Sequence, residues 1–320
     1  MPDKKNVPGA AGGGIDAPAS GPYGPTMFRP ADLTPSKPPV DFVVIDVETA
    51  CSRVSSICQI GIVGFRDGSE VLSYETLVDP RDDFYSFNTR IHGICAEQVV
   101  GQPDFGMVHA IVDGHLAGRT TVAHSYFDKG ALSAACRVHS RPAIETTWLD
   151  SVRVAKRAWP ELASHRLNVL SRYLGIAHKH HDALSDARAA GLVIVRAIEH
   201  TGIALEGWLT PPTRQRVAPA PRPAADGPLK GERVFILGEP RDGPTAQRIA
   251  ALAGRVVSSV GPTTTIVAVI GPEPFGYDVR YNARFLKAEE FLRAGHSVRI
   301  LSQSETSELL EPFEASVQPR

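Results

Sequence analysis

The sequence predicts an α/β protein: a mixed sheet flanked by helices over residues 39–204, followed by a smaller α/β unit over residues 229–312. Three observations carry this reading. Three strand-like runs come in succession near the start and are followed by strands alternating with helices, an order that builds a mixed sheet. A long late helix shows Leu184, Ala187, Gly191, Ile194 and Ile198 at helical spacing, which gives it one packing face. Two stretches rich in Pro, Gly and Ala bracket the first unit. Residues 1–38 lack apolar periodicity and predict a disordered tail; residues 205–228 predict a Pro/Arg-rich, semi-extended linker; residues 313–320 are a second tail.

The elements follow in order. Residues 40–47 are an apolar, β-branched run and predict a buried strand. Residues 56–65 and 70–78 predict a hairpin across the turn RDGS. Residues 105–116 read as a helix, 120–124 as a short strand, 127–138 as a helix and 144–148 as a strand. Helices follow over 151–158, 166–174 and 183–200. In the second unit, strands are predicted at 233–237, 255–260, 265–270 and 298–301, with helices at 245–253, 282–294 and 305–310.

Composition bounds the function. The chain has 320 residues with 22% charged and 42% hydrophobic, which suits about two globular domains. The formal net charge is −1, so no globally basic coat for nucleic acid is present, and polyanion binding must come from local cations or bound metal. None of the four cysteines, Cys51, Cys58, Cys95 and Cys136, forms a C-x-x-C pair, which argues against structural zinc and for reduced thiols. No apolar run reaches the ~20 residues of a membrane span, and the first residues carry no signal-peptide core. A cytoplasmic protein with no membrane partner is the expectation.

The run FVVIDVETA sets Asp46 and Glu48 two residues apart in a strand, so both point to one face. Like charges held close in an apolar setting are costly unless a cation lies between them. Taken alone, such a pair is also common on solvated sheet faces. Two more acids follow, Asp128 after the strand that carries His124, and Asp186 in the first turns of the long helix. Asp182 is the natural N-cap of that helix. His181 lies in the loop before it, and a histidine is the natural proton acceptor near neutral pH. Four carboxylates and a histidine suit two hard divalent ions, Mg²⁺ or Mn²⁺, ~4 Å apart, the arrangement used to hydrolyse phosphodiesters.

With these residues assembled, the span of residues 40–200 resembles the DEDDh 3′–5′ exonuclease family, which includes the proofreading epsilon subunit of bacterial DNA polymerase III. The resemblance rests on VVIDVETA with Asp46 and Glu48, VAHSYFD with His124 and Asp128, and HDALSDA with His181 and Asp186. CQIGIV from Cys58, IHGI from Ile91 and WLDSVRVAK from Trp148 add to it. It implies a ribonuclease H-like fold, two divalent cations held by Asp46, Glu48, Asp128 and Asp186, and His181 as general base. Thr49, Ala50, His124, Ser125 and Phe127 become weaker candidates for substrate contact, with Arg166 and Arg172 as candidate phosphate contacts. Ser125 stands where family members often have Asn, and Ala50 where Gly is frequent.

Residues 231–311 resemble a BRCT domain, through LKGERVFILGEP, IAALAGRVVSSVGPTTTIVAV and FLKAEEFLRAGHSVRILSQSE. Leu237 replaces the hydroxyl residue that precedes the first-strand Gly in phosphopeptide-binding members, although Lys287 fits their Lys. The resemblance therefore favours docking to a protein or a DNA end, the linker raising local substrate concentration. The reading that results is a metal-dependent 3′–5′ exonuclease for single-stranded or frayed DNA in proofreading or repair, with a polymerase as a candidate partner. An RNA exonuclease of the same chemistry, and an adaptor with a vestigial nuclease, are the alternatives.

Overall fold

The computed structural model describes residues 39–211, 218–272 and 275–311. The tails expected over residues 1–38 and 313–320 lie outside these residues, as does the middle of the expected linker.

The first unit begins with β1 (Phe42–Thr49), β2 (Ile57–Arg66) and β3 (Ser69–Leu77), followed by the short helices α1 (Ser86–His92) and α2 (Ala96–Val99). Then come α3 (Phe105–Leu116), β4 (Thr120–Ala123), α4 (Phe127–Val138), β5 (Thr147–Asp150) and α5 (Ser151–Ala158). It continues through α6 (Leu167–Leu174), α7 (Ala183–Thr201) and α8 (Leu205–Leu209). The strands form one mixed sheet in the order β3-β2-β1-β4-β5, antiparallel at β1–β2 and β2–β3 and parallel at β1–β4 and β4–β5. This is the mixed sheet flanked by helices that the element order predicts. The hairpin turn is the one RDGS calls for: Asp67 and Gly68 both take positive φ, 50° and 74°, which matches the twist of the flanking strands.

Period-two alternation divides β1 between two cores. Val43, Ile45 and Val47 pack with α3 and α4 residues such as Phe105, Val112 and Leu132. Phe42 and Val44 pack on the opposite face with α7 residues such as Ala187 and Ile194. Asp46 and Glu48 continue that second face, at the two positions of the strand left partly exposed.

Helix α7 is seated against the strand next door. Gly61 on β2 is the register partner of Asp46. A Cβ at Gly61 would lie 2.3 Å from the carbonyl carbon of Ala183, so only glycine lets the first turn of α7 approach so closely. The Ala183 N–H donates to Gln59 Oε1 at 3.2 Å, and the Ser185 N–H donates to Asp182 Oδ1 at 3.1 Å, the expected N-cap.

The second unit holds β6 (Arg233–Leu237), α9 (Pro244–Ala251), β7 (Arg255–Val256), β8 (Ile266–Val269) and α10 (Tyr277–Tyr281). It ends with α11 (Ala283–Arg293), β9 (Arg299–Leu301) and α12 (Gln303–Leu310). Its parallel sheet runs β7-β6-β8-β9.

Several expectations need correction. Strand β5 starts at Thr147 rather than residue 144, because parallel pairing with β4 begins at Thr120↔Thr147; Ile144 packs against the core from the loop. Strand β7 is two residues long: only Arg255 and Val256 pair with β6, opposite Arg233 and Val234, and the chain leaves that edge although β6 continues to Leu237. The short helices α1, α2 and α10 carry too few residues for a periodic signal. The linker is structured at both described ends: α8 buries Trp208 in the first core, and the Ala224 N–H donates to Ala250 O at 2.8 Å in the second unit. The two units also touch directly, through an antiparallel bridge between Leu162 and Asn282, so a freely flexible tether does not describe them.

Candidate active site

Three elements bring the four acids together on the walls of a cleft of about 610 Å³. β1 supplies Asp46 and Glu48, the first turn of α4 supplies Asp128, and the first turn of α7 supplies Asp186. Asp128 is buried and its Oδ1 accepts from the Val47 N–H at 3.0 Å, which locks α4 to the strand between the two β1 acids. His181 precedes α7 in left-handed backbone, φ 65°, and its Nδ1 lies 3.9 Å from Glu48 Oε1.

Asp186 is held from several sides. His178 Nε2 hydrogen-bonds Oδ1, the His181 N–H donates to Oδ2 at 3.0 Å, and His180 Nδ1 lies 3.4 Å from Oδ2. The rings of His180 and His181 stack with centroids 3.8 Å apart. Of these three histidines, only His181 stands out in the sequence. The signal for the others was present in the run HKHHD, but which imidazole reaches back to Asp186 depends on how the loop folds.

Electrostatics mark the site. The Asp46 carboxyl is raised well above the ordinary carboxylate range by burial, with Asp128, Asp186 and Glu48 adding repulsion. Burial, then Asp186 and Asp128, push Glu48 up to about 8. Burial pushes Asp128 up to about 7, against the lowering effect of the Val47 N–H. Oxygen-rich, mutually repelling and open to a cleft, this donor set fits hard divalent cations, whose charge would relieve the repulsion. Glu48, His181 and Asp186 present ligand atoms within 4.8 Å of one another, as do His178, His180 and Asp186.

The weaker candidates divide. His124, Ser125 and Phe127 line the cleft. His124 is held by Ser151 Oγ on Nδ1 at 2.8 Å and by the His165 carbonyl on Nε2 at 3.2 Å. Burial lowers its pKa to about 4, so it stays neutral and donates from Nε2. Ser125 takes φ 91°, the left-handed region that suits Gly and Asn better than Ser, and there the departure from Asn has a visible backbone cost. Thr49 and Ala50 do not line the cleft. A bulge falls between Glu48 and Thr49, Ala50 is fully buried in a satellite cluster with Cys58 and Ile94, and the Thr49 carbonyl is taken by Asn88 and His92. Arg166 lines the cleft, whereas Arg172 lies outside it and turns to the Asn168 carbonyl. Lys156, His165 and Asn168 complete the wall and had no signal in spacing.

Residues 43–194, just under half of the chain, match the RNase T family model described as Exonuclease. The chain is 30% identical over 158 residues to a DNA polymerase III PolC-type of Clostridium perfringens, a match covering 48% of this chain and 11% of that protein. A PolC-type polymerase of Latilactobacillus sakei is 28% identical over 160 residues, covering 49% and 11%. The chain thus spans about a tenth of the length of these curated relatives. Among solved structures, Exonuclease X in complex with 5′ overhanging duplex DNA aligns at 20% identity and TM-score 0.42, covering 52% of this chain and 97% of that one. The nuclease domain of 3′hExo bound to rAMP aligns at 17% identity and TM-score 0.45, covering 51% and 94%. Among the described residues, no helix is long and apolar enough to cross a membrane.

Proposed function

We propose that the protein is a metal-dependent 3′–5′ exonuclease that shortens single-stranded or frayed DNA in proofreading or repair. The observation that carries this reading is the convergence of Asp46, Glu48, Asp128 and Asp186, three of them with raised carboxyl pKa values, on one open cleft. These four would hold two divalent cations, Mg²⁺ or Mn²⁺, which when bound activate water and neutralise charge on the leaving oxygen. His181 supplies the base. Burial, with His180 beside it, lowers its pKa, so at pH 7 the ring is in the neutral form that accepts a proton. It already lines the cleft and is about two-fifths exposed, so a water bound there can reach its ring. Lys156 and Arg166 place positive charge where the strand's phosphates must pass, and Phe127, 46% exposed, offers a face for a base to stack on. His124, neutral and held at both nitrogens, keeps the α5 and His165 sides of the cleft together.

The second unit fits a BRCT-like docking module of the same reading, with a protein or DNA end as partner. Phosphopeptide capture is disfavoured. The N-terminus of α9 is already satisfied by Glu239, whose carboxylate accepts from the Thr245 N–H and Oγ1, both at 2.7 Å. Leu237 and Gly238 line a pocket together with first-unit residues such as Trp159 and Tyr173.

The test is to incubate the protein and Asp46→Ala with 5′-labelled DNA and RNA single strands in Mg²⁺, Mn²⁺ or EDTA. A ladder of shortened DNA that requires metal and Asp46 is expected. Shortening of RNA alone moves the substrate to RNA, and no hydrolysis under any condition leaves the adaptor.

A further inference from the structure

The segment between α5 and α6 has two jobs at once. Its far end, His165 and Arg166, lines the cleft, and the first residues of α6, Leu167 and Asn168, continue that lining. Its near end belongs to the contact with the second unit. The Ala163 N–H donates to Tyr281 O at 3.0 Å, and the Ala283 N–H donates to Glu161 O at 2.8 Å, a two-bond antiparallel bridge between the units. Arg284 pairs with Glu161. The Tyr173 hydroxyl, near the end of α6, donates to Asp278 at 2.6 Å. Tyr281 packs onto the first core and lies against Tyr173, ring centroids 5.7 Å apart. Leu162 and Asn282 are buried where the units meet.

Two polar contacts at His165 carry this anchorage to the cleft. His165 Nε2 donates to the Trp159 carbonyl at 2.9 Å, and the His165 carbonyl accepts from His124. A loop between two helices would ordinarily be free to move on its hinges. Here residues 161–163 and the helix after the loop are fastened to the second unit, and the cationic Arg166 lies three residues beyond Ala163.

We propose that the second unit positions the strand-gripping wall of the cleft: Tyr281, Asn282 and Arg284 hold residues 161–166 and α6 so that Arg166 and Asn168 meet the nucleic-acid backbone. This rests on the nuclease reading of the cleft. It makes the C-terminal unit a determinant of substrate affinity, acting through the loop and not only through a partner of its own. The residues named in the second unit are positioning residues: they touch the loop, not the substrate.

The test uses Arg284→Glu, the charge swap Glu161→Arg/Arg284→Glu, and Tyr173→Phe, all in the full chain. Three quantities are read: the Kd for a fluorescein-labelled DNA single strand in EDTA, and KM and kcat for its shortening in Mn²⁺. The expected result for Arg284→Glu is a rise of about threefold to fivefold in Kd and KM, the scale of one half-exposed ion pair. In the same variant kcat stays within about twofold of wild type, since the carboxylates are untouched. The charge swap is expected to return Kd and KM to near the wild-type values. Unchanged Kd in both Arg284→Glu and Tyr173→Phe overturns the proposal. A weakened Arg284→Glu of normal melting temperature that the swap fails to restore also overturns it, by assigning the loss to the Arg284 charge alone. If Arg284→Glu does not fold, Tyr173→Phe decides by the same Kd measurement. If the wild-type protein hydrolyses nothing, the nuclease reading fails, while the Kd comparison still decides the positioning role.

Discussion

At the scale of single residues, the site is a set of carboxyl groups held where they repel one another. Glu48 near 8 and Asp128 near 7 stand above their unfolded values, so the metal-free folded state binds more protons than the unfolded chain between about pH 4 and 8. The sign follows: with raised carboxyl pKa values, stability falls as pH rises through that window. The melting temperature in EDTA should drop between about pH 5 and 8, and Mn²⁺ should reverse the drop; Asp128→Asn should flatten the EDTA profile. A second expectation concerns His178, buried and hydrogen-bonded to Asp186. His178→Ala leaves Asp186 Oδ1 without that donor. It should weaken Mn²⁺ binding by about 10-fold or more, the usual effect of losing a partner behind a ligand, as read by calorimetry. A His178→Ala protein with wild-type Mn²⁺ affinity would remove His178 from the site.

At the scale of elements, the cleft depends on how α7 lies on β2. Asp186 rides in the first turn of α7, and the closeness of that turn to Gly61 sets its position. Gly61→Ala should therefore cost about 1–3 kcal/mol, the range for forcing extra atoms into a packed site, and lower kcat as Asp186 shifts. Gly114 in α3 is the contrast: a Cβ there meets nothing within 4 Å. Gly114→Ala should stabilise the helix by roughly 0.5–1 kcal/mol with no effect on rate. Thermal melts and single-strand shortening rates on the two variants separate packing from chemistry. The elements themselves were largely legible. β1, the hairpin, α3, α4 and α7 follow from alternation, the RDGS turn and helical spacing, because each buries one face against a single neighbour. The ends of β5 and β7 are not legible in their own residues, because they depend on how far each chain segment keeps pairing with its neighbour.

At the scale of the whole molecule, the boundary after residue 204 suggested by composition cuts through a packed feature. Trp208 is 4% exposed, its Nε1–H donates to Ile203 O at 3.0 Å, and Arg157 lies 4.6 Å over its ring. Trp208→Ala should cost about 3–5 kcal/mol, as for other buried tryptophans. A truncation after residue 204 should melt well below one ending after residue 211. Equal melting temperatures for the two would show that α8 adds nothing to the first core. By itself the sequence determined the class of fold and four of the acids with their histidine, because those depend on spacing within single elements: Asp46 and Glu48 share a face by period two, and Asp186 falls in the first turn after its N-cap. Tertiary structure alone decided which neighbours complete the site. It brought His178 back to Asp186, turned Ala50 away into a core, and set Arg166 at the cleft on a loop fastened to the second unit. Contacts between segments far apart in the chain have no period to read, since they are fixed by which surfaces pack and not by the order of residues.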